Sequence, residues 1–491
     1  MKGLSARGVS ELGEQIVLKN CRTYLRWMAV TLVLCLSVGP ADFAQSGGAS
    51  KVLTLEEAVD FSLKNYPAVR ASLERVRAAD AGIGLAKTNY LPRADMVWQT
   101  NRATDNNITG LVLPQSIIAP ISGPVPATTS NRSAWGSAAG LLFSWEPFDF
   151  GYRGAKVHAA RAGRDRATAE ASLARLDVAV VTVNAYLTVL AAQRTVHAAE
   201  ADVERRDTFD KAVRVLVNNQ LRAGADASRA DAELARAKVN LARARQQEKI
   251  SRAALADILG LPDTSLEVRE GSLLGPPPEG SPLATPLANN PIAEVQHARV
   301  EEAQAQVHVL DRSYYPKFYL QSSVYGRGSG WDPAGKFEGG TAGLGPDRSN
   351  WAVGLSVTFP VFDIFAIRSR KAVESANKRA ETARYDQALQ DLTGQLRKAQ
   401  ASLEGARSVA ENTPQELDAA RNTEGQQRSR YQAGLATLVD VADAQSLLVQ
   451  AETDDALARL AVWQNLAAVA ASEGNLQPFL QFLHDKTQGR P

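Results

Sequence analysis

The sequence predicts a mixed α/β membrane protein in which each chain gives four β-strands to a barrel mounted on very long α-helices, arranged as two internal repeats. Three observations carry that reading. Landmarks recur in one order across the two halves of the chain, proline-free helical patterns run for many turns, and four short segments alternate large apolar with small residues.

The landmarks come first, because internal repetition has to be recognised before any fold is assigned. Pro67 and Pro92 match Pro291 and Pro316, each 224 residues on, and "EPFDFG" around Asp149 answers "FPVFDIF" around Asp363, 214 residues on. Gly224 and Gly434, 210 apart, complete the set. The chain thus divides into repeats over 51–273 and 287–475, joined by a Pro/Gly-rich linker at 274–286 and followed by a tail at 476–491.

Each half reads alike. A helix opens at Pro67, where proline suits a first turn, and ends before Pro92, since the residue preceding a proline avoids helical angles. Two strands follow, then a helical pattern from Gly151 to about Asn218 and another from Asp226 to about Leu259. The second half gives Pro291 to Ser313, two strands, Ala366 to about Tyr431, and Ala436 to about Ser472. Pro414 should kink the third of these or break it. An abundance of Ala, Arg, Glu, Gln and Leu favours such helices.

In "WAVGLSVTF", Trp351, Val353, Leu355, Val357 and Phe359 share one face, and small residues share the other. "SAWGSAAGLLFSW" puts Trp135, Leu141, Phe143 and Trp145 together in the same way. Large apolar residues outside, small or polar ones inside and aromatics at the ends are the pattern of membrane barrel strands. Alternation alone would better fit a half-buried soluble sheet. Context favours the membrane: long loops (Thr104–Asn131 and Arg327–Asn350) join each pair of strands, while the other strand ends run directly into helices. Long loops face outside the cell, so the helices point into the periplasm. Four strands cannot close a barrel when the smallest use about eight, so the chain should oligomerise through its sheet.

The N-terminus supports export. Lys19, Arg22 and Arg26 precede an apolar run from Trp27 to Val38, and small residues follow. That order describes a secretory signal over residues 1–44, ending after Ala41 or Ala44. The run is shorter than the ~20 residues a spanning helix needs. Cys21 and Cys35 both fall in this leader, so disulfides and a Cys-based metal or redox site are excluded from the mature chain, and neither Cys follows a small residue in the lipoprotein manner. A formal charge of +2 gives no nucleic-acid footprint.

Enzyme chemistry has little support. "GIGLAK" lacks the third glycine of a dinucleotide loop, no GxSxG, P-loop or HExxH occurs, and the five histidines form no i,i+3 or i,i+4 pair. No catalytic residue, metal site or cofactor is expected.

One stretch adds specificity. "YQAGLATLVDVADAQ" places Asp440 and Asp443 just after a helix-breaking glycine, and "LRAGADASRADAELA" has a similar rhythm. Gly224 and Gly434 would be left-handed caps where each long helix turns back. With the duplicated strand-flanking motifs, this stretch resembles the TolC-like outer-membrane efflux channels over nearly the whole mature chain. The resemblance implies a homotrimer in the outer-membrane lipid, twelve strands forming one barrel above a periplasmic coiled-coil tunnel of twelve helices. It implies a passive exit duct for small molecules or polypeptides in a tripartite efflux or type I secretion system, working with a periplasmic adaptor (membrane fusion) protein and an inner-membrane transporter. It also implies that Asp440 and Asp443 ring the tunnel entrance and that Tyr431 helps hold it shut. The chain departs from the family at two points. Ala436 stands where an arginine joins the closing network, and the first-repeat aspartate is Asp231, seven residues after Gly224 rather than six. The rival reading is a periplasmic coiled-coil adaptor or scaffold without a barrel.

Overall fold

The computed structural model describes residues 51–104, 131–261, 266–270, 273, 289–330 and 336–487. The expected leader, the linker at 274–286 and most of the first strand-joining loop lie outside the described residues. In chain order the elements are β1 (Lys51–Leu53), α1 (Leu55–Asn65), α2 (Pro67–Thr88), β2 (Arg93–Thr104), β3 (Ser133–Phe148), α3 (Tyr152–Asn218) and α4 (Gly224–Leu259). They continue with β4 (Leu266–Val268), α5 (Pro291–Arg312), β5 (Lys317–Ser329), β6 (Arg348–Thr358), α6 (Asp363–Gln432), α7 (Leu438–Ser472) and α8 (Gln477–Thr487).

Four strands make one antiparallel sheet in the order β2-β3-β5-β6, so among the described residues β2 and β6 are paired on one side only. The register aligns Met96, Leu141, Val324 and Trp351 across all four strands. Their exposures are 81%, 59%, 64% and 76%, so a full apolar row stands uncovered on one face. The opposite face of β3 is small and buried, with Ala134 and Ala138 at 3% and 4%. Gly140 belongs to this close packing: a Cβ there would lie 2.4 Å from the Cβ of Tyr325 on the paired strand.

α3 has 67 residues and α6 has 70, each about 100 Å at ~1.5 Å per residue. Near the sheet the helices pack in the order α2-α3-α5-α6, and at the far end in the order α4-α3-α7-α6. The short helices thus stack end to end beside the long ones, covering apolar stripes that no isolated helix could keep from water. α6 runs through Pro414 unbroken, contrary to the expectation of a possible break. Asp149 fixes the start of α3. Its carboxylate accepts the N–H groups of Gly151 (3.1 Å) and Arg153 (2.6 Å) and pairs with the Arg153 guanidinium at 2.8 Å.

The main core sits midway along the helices, where Tyr186, Leu187 and Leu190 of α3 meet Trp463 and Leu466 of α7. Four small elements absent from the sequence reading pack here. β1 pairs in parallel with β4, and α1 and α8 contribute Leu55, Val59, Phe479 and Leu483. The Tyr186 hydroxyl lies 2.9 Å from the Leu53 carbonyl and 2.7 Å from that of Arg269, tying the strand pair to α3, and burial pushes its phenol well above the usual range. The expected tail at 476–491 is therefore largely a docked helix.

Candidate functional site

The site lies at the end of the helices opposite the sheet, where two hairpins turn. Both close with the same pair of backbone bonds. In the second, Leu435 N–H reaches Arg430 O at 2.8 Å and Gly434 N–H reaches Tyr431 O at 3.0 Å. In the first, Leu221 N–H reaches Leu216 O and Gln220 N–H reaches Val217 O, both at 2.9 Å. These are Schellman caps, which need one residue at positive φ. Gly434 supplies it at φ 76° and Gln220 at φ 61°. Gly224 is no cap; it is the first residue of α4.

That correction resets the register between the hairpins. Gln220 lies 214 residues before Gly434, the spacing of Asp149 and Asp363. At this spacing Asp226 answers Asp440 (440 − 214 = 226) and Arg222 answers Ala436 (436 − 214 = 222). Asp226 and Asp440 are both third residues of their helices. The sequence reading missed Arg222 and Asp226 because it aligned on the conspicuous glycines; the Asp149–Asp363 spacing was the signal that could have found them.

Tyr431 joins the hairpins. It is 1% exposed, in an apolar cluster with Phe209, Val213, Ala230, Leu438 and Val441. Its ring centroid is 5.3 Å from that of Phe209, and the Arg222 guanidinium covers it at 4.4 Å. Arg222 Nη2 also donates to the Tyr431 carbonyl at 2.6 Å, and the Tyr431 hydroxyl donates to Asp226 Oδ2 at 3.3 Å. Burial first, then the Asp226 carboxylate, push the phenol above its ordinary value against the pull of Arg222. The cation over the Tyr431 ring thus comes from the other hairpin and not from position 436.

The remaining expected residues lie apart from this clasp. Asp440 forms a capping box: Oδ2 accepts the Thr437 N–H at 2.8 Å and its hydroxyl at 2.7 Å, while Thr437 Oγ1 accepts the Asp440 N–H at 3.3 Å. These bonds from Thr437 hold its carboxyl below the usual range. Asp443 is exposed one turn further on. Asp231 pairs with Arg214 of α3, which also holds Asp210 at 2.9 Å. It braces the first hairpin and does not reach Tyr431.

Behind the tip, a buried cluster locks three helices. Arg206 of α3 lies 3.0 Å from both Asp202 oxygens, 3.0 Å from Glu233 of α4 and 3.0 Å from Ser446 of α7. Arg205 grips Glu452 of α7 at 3.2 and 2.9 Å. No group of three or more potential metal ligands occurs among the described residues. The arrangement ties the two hairpins and three helices of the chain together through ionic and aromatic contacts.

Known proteins share this layout. Protein CyaE of Bordetella pertussis is 28% identical over 435 residues, covering 86% of this chain and 84% of that protein. The pyoverdine export outer membrane protein OpmQ of Pseudomonas aeruginosa is 24% identical, covering 86% and 83%. The crystal structure of the outer membrane protein VceC from Vibrio cholerae superposes with a TM-score of 0.66 at 19% identity, over 86% of this chain and 97% of that one. The Outer membrane efflux protein family matches residues 58–261 and 284–475, nearly all of both halves. That match sets the chain among ducts in the cell outer membrane with a large periplasmic part, and not among periplasmic adaptors. The chain belongs to the Outer membrane efflux protein family.

Proposed function

We propose that three copies of this chain close a twelve-stranded barrel through their β2 and β6 edges, and that their tip hairpins form a gated entrance to one conduit. The carrying observation is a four-stranded sheet with, among the described residues, two free edges and an exposed apolar row, mounted on helices that end in the Tyr431 clasp. The two halves act as structural repeats, and the mature chain begins near Asp42 or Gln45. A periplasmic adaptor and an inner-membrane transporter complete the pathway, the conduit itself performing no chemistry on its cargo.

In such a trimer Asp440 and Asp443 would bring six carboxylates, three times two, to one narrow opening. Like charges in a constriction attract cations, and multivalent cations prefer several oxygen ligands. The closed entrance is therefore cation-selective and blocked by multivalent cations from the periplasmic side. Single-channel conductance in planar bilayers tests this against the Asp440→Asn, Asp443→Asn double variant. Loss of block in the variant supports the reading; equal block in both proteins places the constriction elsewhere.

A further inference from the structure

We infer that the cleft between α3 and α5 directly below the sheet, where Arg312, His308 and His158 gather beneath the aromatic cluster of Phe150 and Tyr315, binds the phosphate of an anionic phospholipid headgroup. The cleft is a cavity of about 470 Å³ whose polar lining is His158, Gln304, His308 and Arg312, with Phe150 and Ala305 among its apolar walls.

Its depth relative to the membrane follows from the sheet register. On β5, Phe318, Leu320 and Val324 lie on the face that carries the exposed apolar row, and Phe148 of β3 pairs with Phe318 beyond a bulge. From Phe318 to Val324 is six residues, ~20 Å at ~3.3 Å each, against an apolar band of about 25 Å in barrels of this kind. Phe148 and Phe318 therefore mark the periplasmic rim. Phe150 packs edge-on against Phe148 (4.6 Å) and stacks on Tyr315 (5.4 Å), which extends the apolar face downward to the cleft. Aromatic girdles sit at the headgroup level.

The cleft also lies inside one protomer. Near the sheet α3 and α5 are the two central helices of the four, so this groove is away from the edges that neighbouring copies would cover. Its charge is cationic. Neighbouring acids on α5 are occupied elsewhere, Glu302 with Arg166 at 2.7 Å and Asp311 with Lys371 at 2.5 Å. Arg312 forms no ion pair among the described residues; its guanidinium rests 6.0 Å from the Tyr315 ring centroid. A guanidinium with imidazole and amide donors, under aromatic rings at the interface, suits a phosphate diester that carries its own acyl chains.

The test uses the whole oligomer in nanodiscs containing phosphatidylglycerol and phosphatidylcholine, with retained lipids counted by native mass spectrometry. Wild type should keep phosphatidylglycerol in preference to phosphatidylcholine. Arg312→Gln should weaken that retention about fivefold, the loss of one partly exposed charged contact, and Arg312→Lys should keep most of it. His308→Gln, five residues before the Ser313 cap of its helix, should give a smaller loss. Single-channel conductance should be the same in all four proteins, so a failure here leaves the conduit reading intact. Equal retention in wild type and Arg312→Gln, or no preference between lipids in wild type, overturns the proposal. In lipid-free detergent, phosphorus NMR with inorganic phosphate distinguishes the source: binding comparable to the lipid would assign the cleft to soluble phosphate and overturn the lipid reading.

Discussion

Tyr431 was legible in the sequence, but its partners were not. The sequence expectation rested on the glycine at 434, and the structure adds Arg222 and Asp226 from the other hairpin. Contacts between residues some 205 positions apart leave no local pattern to read. Arg222→Ala removes the cation over the ring and the bond to the backbone together, whereas Tyr431→Phe removes only the bond to Asp226. Single-channel recordings should therefore show higher conductance for both variants, with Arg222→Ala the larger. The pH dependence follows from the two shifts. A raised phenol stabilises the closed tip fully below its ordinary pKa of 10.0 and loses that contribution as pH rises through the folded value. A lowered carboxyl at Asp440 contributes above 3.8 and loses that contribution as pH falls through its lower folded value. Closed-state conductance should be flat between those limits and rise beyond each; a step near neutrality would contradict this. Arg206 invites a different test. Burial raises the Asp202 carboxyl despite the opposing pull of Arg206. Arg206→Met would strand that group among three helices and should cost about 3–5 kcal/mol in chemical denaturation.

The long helices were readable from periodicity, and β3 and β6 from clean alternation, because each repeats its pattern over many turns or residues. β2 and β5 alternate less cleanly and were read from the repeat. The small elements of the midway core went unread, for distinct reasons. β1 and β4 have three residues each and exist only through mutual pairing. α1 did announce itself: Thr54 and Glu57 form a capping box, a pattern visible in "TLEE". α8 fell within the stretch read as tail; Pro478 is its second residue, where the missing N–H has no helical partner to lose. Pro414 is harder: α6 carries it through an interior position, and the buried contact of Thr413 with Asp455 of α7 at 3.1 Å accompanies it. Phe479 is 1% exposed and stacks edge-on against Trp463 at 6.3 Å. Phe479→Ala should therefore destabilise the helical part by about 3–5 kcal/mol, measured by thermal unfolding followed by circular dichroism. A loss below 1 kcal/mol would mean that α8 is only loosely attached, a reading opposed by its depth in the core.

At the scale of the molecule, the sheet argues for association. Among the described residues two edges are free and an apolar row crosses all four strands, so a lone chain would expose both backbone and hydrocarbon. Native mass spectrometry in detergent should find a trimer, and a stable monomer would contradict the barrel. Phe143→Arg, paired with Ser322 about 13 Å from the Phe318 rim, should cost about 2–4 kcal/mol if that face meets lipid near the bilayer midplane. Loss of heat-resistant oligomer on gels would register it. The clasp at the opposite end has a consequence for inheritance. Arg222 binds the main-chain oxygen of Tyr431, an atom that every amino acid carries. Drift at position 431 can therefore erase the phenol and still leave that half of the fastening in place, whereas a codon change at 222 removes it outright. Descendants of this gene that change position 431 should lose the ring contacts with Phe209 and Arg222 yet keep the backbone bond, whereas those that lose the cation at 222 forfeit both the bond and the ring contact.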